Sequence, residues 1–125
     1  MASRVKLCCA LAAALTLSIA FSSSQRTSAA TFTVDSAGDA SDVAPGDGTC
    51  ADSSGTCTVR VTIQEANIYG GFGQSDTINF SVTSTINLTG ALPDMTSNMT
   101  LNGPSSSLLT VRRHTGGDNR ILFTN

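Results

Sequence analysis

Apolar and polar residues alternate in short bursts along the second half of this chain. Ile78 and Phe80, Ile86 and Leu88, Met99 and Leu101, Leu109 and Val111, and Ile121 and Phe123 form five pairs at i, i+2. Such alternation puts both members of a pair on one face of a short strand. The pairs also recur over a longer interval: Ile78 to Met99, Phe80 to Leu101 and Leu88 to Leu109 each span 21 residues, and Met99 to Ile121 spans 22. Intervals of this size signal stacked repeats, and one coil of a parallel β-helix takes about that many residues. Asn102-Gly103-Pro104 and Gly116-Gly117-Asp118 supply turns between strands. An antiparallel sandwich is the alternative, whereas a leucine-rich repeat would need a leucine spacing that is absent.

The first half reads differently. Thr31-Phe32-Thr33-Val34 alternates as a strand and then gives way to Asp, Ser, Ala and Gly. Between Thr58 and Asn67 the period changes: Val59, Ile63 and Ala66 fall at i, i+4 and i+7, one face of a helix, with Arg60, Gln64 and Asn67 elsewhere. Thr58 is a suitable N-cap, and Gly70-Gly71-Phe72-Gly73 ends the helix. Pro45-Gly46-Asp47-Gly48 is a turn signal.

Residues 1–30 carry a separate message. Arg4 and Lys6 precede an apolar run from Leu7 to Phe21, and Ser28-Ala29-Ala30 offers small residues where a signal peptidase reads. The run is shorter than the roughly 20 residues needed to cross a bilayer, so a secretory signal peptide is expected rather than an anchor. Without it the chain keeps Arg60, Arg112, Arg113 and Arg120 against nine acidic residues, a formal charge of about −5. Charged residues are only 13% of the 125, and no basic cluster of the kind that grips phosphates is present, so nucleic acid is not an expected partner.

Two cysteines remain after residue 30, Cys50 and Cys57, and in an exported chain such a pair reads as a disulfide. Tetrahedral zinc is the alternative, but it wants about four ligands and the chain has one histidine, His114. The loop around the cysteines carries Asp35, Asp39, Asp42, Asp47 and Asp52, a density of oxygen ligands that could hold calcium. It has no glycine-centred Asp-x-Asp-x-Asp loop, and acidic loops are usually solvated, so no cofactor is expected, with calcium held by Asp35, Asp39, Asp42 and Asp47 as the lesser alternative.

The ordered set Asp47-Gly48-Thr49-Cys50, then Cys57-Thr58-Val59-Arg60-Val61-Thr62-Ile63-Gln64-Glu65-Ala66-Asn67, then Asp76-Thr77-Ile78-Asn79-Phe80 resembles the CSLREA domain. Of the six residues in that name, Cys57 and Arg60 are kept. Val61 replaces the glutamate that would complete a capping box, so Thr58 must cap alone. The resemblance, over residues 31–101, implies the mature start of an exported protein that continues as a right-handed parallel β-helix. It also implies a helix whose Val59, Ile63 and Ala66 cover the open end of the first coil, with Arg60 paired to a carboxylate or a carbonyl.

The expected architecture is therefore mainly β. It comprises a signal peptide (1–30), an N-terminal cap with disulfide loop and capping helix (31–75), and the first two or so coils of a right-handed parallel β-helix (76–125). Stacked repeats need about three units or more, so further coils are expected beyond residue 125. The expected role is structural, adhesive or display at the cell surface or outside the cell, with extracellular carbohydrate or surface ligands as partners. The alternative is the N-terminal part of a secreted polysaccharide lyase or hydrolase. Such chemistry needs an acid and a base on one face of successive coils. Asp76, Asp94 and Asp118 share no position in the 21-residue frame, so no catalytic residue is assigned.

Overall fold

The computed structural model describes residues 28–69, 74–113 and 120–122. The apolar run expected to belong to a signal peptide, the Gly70–Gly73 cluster, His114, the turn expected at 116–118 and Phe123 lie outside the described residues. The described elements are β1 (Thr31–Val34), α1 (Val59–Tyr69), β2 (Ser75–Phe80), β3 (Thr85–Leu88), β4 (Asn98–Asn102) and β5 (Thr110–Arg113). They form small sheets with one short helix, and no closed barrel among the described residues.

All strand pairing is parallel. One sheet has the order β1-β2-β4 and the other pairs β3 with β5. From β2 onward the chain therefore visits the two sheets in turn, β4 lying beside β2 and β5 beside β3. Parallel neighbours require a crossover rather than a hairpin, so the antiparallel sandwich does not form among the described residues.

The register corrects the interval read from the sequence. Ile78 lies beside Leu101 and Ile86 beside Val111, intervals of 23 and 25 residues instead of 21. Shifts of two and of four are both even and keep every side chain on its face, which is why the alternation survives. In the first sheet the cause is Asp76, an inward position that a hydrophobic count passes over. It is fully buried and lies beside Met99, which moves the Ile78 partner one rung along. In the second, a turn at Ser105–Leu108 lengthens the connection, so Leu109 falls before β5 rather than within it. Residues 120–122 contain no strand.

The core lies between the sheets and the helix. Val34, Ile78, Ile86, Leu88 and Leu92 pack with Val59 and Ile63 of α1. Burial declines away from β1: Ile78, Ile86 and Leu88 are buried, whereas Met99, Leu101 and Val111 are half-buried. The helix runs two residues past the expected end, to Tyr69, whose ring meets Phe32 of β1 edge-on at 6.1 Å. Val61, Thr62 and Glu65 are buried as well as Val59, Ile63 and Ala66, so α1 is enclosed on more than the single face its period suggests.

Candidate functional site

The polar residues converge where α1 meets the 35–58 loop and the segment after β3. Cys50 and Cys57 form a disulfide with Cα atoms 5.1 Å apart, fixing the loop just before the helix. The Thr58 hydroxyl accepts from the Val61 N–H at 3.1 Å and donates to the Ala40 carbonyl at 2.8 Å. It thus takes one of the helix's unpaired N–H groups and ties the start of α1 to the loop.

Arg60 meets both kinds of partner expected for it. Its Nε and Nη2 donate to the Asp39 carboxylate, with an ion-pair distance of 2.9 Å, while Nη1 and Nη2 donate to the carbonyls of Ala91 at 2.6 Å and Gly90 at 3.2 Å. Asp39 also accepts from the N–H and hydroxyl of Thr89, both at 2.7 Å. Burial opposes the charge on Asp39, yet the hydrogen bonds from Arg60 and Thr89 outweigh it and hold the carboxyl below its ordinary range. Three segments distant in sequence are thereby joined through one guanidinium fork.

Glu65, the only glutamate in the chain, is fully buried. Its carboxylate accepts from the N–H of Gly46 at 2.5 Å and from the N–H of Gly48. These two glycines have φ of +95° and +86°, and an added Cβ would stand 2.5 Å from Ile68 and 2.6 Å from Tyr69. Glycine is thus required twice over, by backbone conformation and by close approach to the helix. Burial raises the Glu65 carboxyl above its ordinary range; the two N–H donors pull it down and the charges of Asp42 and Asp47 add to the rise.

Asn67 completes the set. Its amide donates to the Asp94 carbonyl at 2.8 Å and accepts from the Thr96 N–H at 2.9 Å, and the Ser97 hydroxyl donates to the Ala66 carbonyl. On the far side of the core, Asp76 accepts from the Ala30 N–H at 2.7 Å, and its other oxygen has no partner among the described residues.

The aspartates weighed for calcium are directed separately. Asp35 accepts from the Cys57 N–H, Asp39 binds Arg60, Asp42 accepts from the Ala44 N–H, and Asp47 from the Thr49 N–H. Asp52 accepts from the N–H and hydroxyl of Thr56 and from the Ser54 N–H, which together hold its carboxyl below the ordinary range. Among the described residues no group of three or more His, Cys, Asp or Glu is arranged to hold a metal ion. What the arrangement does is mechanical: each carboxylate closes a turn or clamps one segment to another.

Sequence reasoning singled out Cys50, Cys57, Thr58, Val59, Arg60, Ile63 and Ala66, and these gather along α1 and the core. It gave Glu65 and Asn67 no role and weighed Asp76 only as a catalytic carboxylate. Glu65 carried a signal, as the lone glutamate within a helix otherwise free of acidic residues and 17 to 19 residues after two turn glycines. Among the described residues no helix is long and apolar enough to cross a membrane. Comparison with protein-family models, with curated proteins and with solved structures returned no match for this chain.

Proposed function

We propose that this chain is the closed, N-terminal end of an exported right-handed parallel β-helical protein with a structural, adhesive or display role at the cell surface or outside the cell. The observation that carries this reading is the alternation of β2, β3, β4 and β5 between two parallel sheets. Crossovers between parallel strands are right-handed in about 98% of cases, which supplies the hand. The α1 side chains on the core favour a lid at the β1 end, and the resemblance to the CSLREA domain points the same way. A disulfide suits an oxidising compartment, as the leader-like residues 1–30 suit export. Further coils laid on β4 and β5 would cover Met99, Leu101 and Val111, which are half-buried. Ligands of the coils would be extracellular carbohydrate or other surface groups.

The test is made on the protein from its producing cells, by fractionation, alkylation of free thiols and intact mass. An oxidised protein outside the cytoplasm, lacking a leader, is the expected result. A reduced chain retained in the cytoplasm with residue 1 in place overturns the export half of the reading. A structure of the secreted protein in which the β2-to-β5 path winds left-handed overturns the other half.

A further inference from the structure

We infer that Asp76 is the receptor for the α-ammonium group of the mature chain, and that maturation frees the amine of Ala30. The inference rests on the export reading above, and it locates the cut one residue earlier than the small residues at 28 and 30 suggest. Two features single out this position. Asp76 is fully buried inside β2, yet its carboxylate has one bond, from the backbone N–H of Ala30 at 2.7 Å, and its second oxygen is unpartnered among the described residues. Ala30 is in turn held in place, because its carbonyl accepts from the Thr77 N–H at 2.9 Å.

A buried carboxylate facing one neutral amide is poorly compensated. Hydrolysis of the Ala29–Ala30 peptide bond by water, catalysed by a leader protease, leaves a carboxylate on Ala29 and an amine on Ala30 that takes up a proton. The nitrogen need not move. It exchanges one N–H for three and acquires a full positive charge, so one group can serve both oxygens of Asp76. Small residues at Ala29 and Thr27 fit the positions that such a protease reads. A cut after Ala30 would instead delete the residue that holds both the Asp76 and the Thr77 bonds. Because Ala30 is already laid against β2 in the fold, the cut must come before the strands assemble.

The chain offers an unusually clean test, since its only lysine is Lys6. Between residues 30 and 125 the α-amine is the sole primary amine, and one acetyl group on the N-terminal peptide, read by mass after proteolysis, reports on it alone. The mature protein is taken from producing cells, its first residue is determined, and its acetylation by acetic anhydride near neutral pH is timed in buffer and in urea with the disulfide kept. Ala30 is expected as the first residue, with native acetylation at least about tenfold slower than denatured, as an ion-paired, protonated amine requires. In Asp76→Asn the native rate should rise to within about threefold of the denatured one. Should that variant not fold, wild-type protein acetylated while denatured and then refolded should melt at least about 5 °C lower than the free-amine form. Equal native and denatured rates, or an unchanged melting temperature after acetylation, overturn the inference. A first residue of Thr31 also overturns it while leaving export intact, whereas a chain that keeps Met1 overturns export itself.

Discussion

Two regions of this molecule are held together by different means. Residues 31–69 have a four-residue strand and one helix, and their loop is fixed by side chains bonded to backbone: Asp35 to Cys57, Asp52 to Ser54 and Thr56, Glu65 to Gly46 and Gly48, with Arg60 and the disulfide as cross-ties. Residues 75–113 rely on ladders of backbone bonds between parallel strands and on a row of Ile, Leu and Val. The contrast teaches that the two can be perturbed separately. Charge, pH and redox state act on the first region, and volume acts on the second.

The largest effect expected is in the second region. Ile78→Ala removes a fully buried side chain and should cost about 3 to 4 kcal/mol in urea unfolding, whereas Leu101→Ala, one layer out and half-buried, should cost about 1 kcal/mol. Equal losses would mean that the burial gradient carries no energetic gradient. Next comes Arg60→Ala, which strands the Asp39 carboxylate among neighbours that no longer balance it. A loss of about 2 to 4 kcal/mol is expected, partly recovered in the double variant with Asp39→Asn. A double variant no better than the single one would show that Arg60 acts by packing alone.

Reduction of Cys50–Cys57 should lower stability by roughly 2.5 kcal/mol on the chain-entropy account of so short a loop. Amide exchange should then quicken in residues 35–57 and stay slow in β2 and β3. Uniform quickening would mean that the two regions unfold as one.

The smallest effect is pH dependence, where two carboxyls act with opposite sign. The fold raises Glu65, so its contribution is full below the ordinary carboxyl range and is lost as pH rises through the raised value. The fold lowers Asp39, so its contribution is full above the ordinary range and is lost as pH falls through the lowered value. In a titration of stability against pH, Glu65→Gln should remove the loss on the rising side and Asp39→Asn that on the falling side. A profile unchanged in both variants would contradict this assignment.

The difference between the regions also explains what could be read from the sequence. Strands β1 to β4 were legible because alternation is set by burial of one face, and the helix because Val59, Ile63 and Ala66 share another. The register was misjudged by two residues in the first sheet because Asp76 fills an inward position that a pattern of apolar residues counts as polar and outward. Arg60 was legible in kind but not in partner, since Asp39, Gly90 and Ala91 lie 21 to 31 residues away and no local rule links them. Glu65 stood out as the lone glutamate, but its partners were hidden for the same reason. Its role depends on two glycine N–H groups that only the folded loop turns toward it.

The Arg60 junction also orders events in time. Synthesis runs from the N-terminus, yet β1 has no strand partner until residues 77–80 exist, and Arg60 cannot complete its bonds until Gly90 and Ala91 follow. Contacts over such separations are slow to form because the intervening chain must first be closed into a loop. The Cys50–Cys57 ring, spanning seven residues, can close long before. The region made first is therefore cross-linked early but docked late, and until residues 78–92 emerge the apolar side of α1 lacks most of the core it covers. That interval is when a chaperone would find this chain, and a stall in synthesis before residue 91 would leave it most prone to clump.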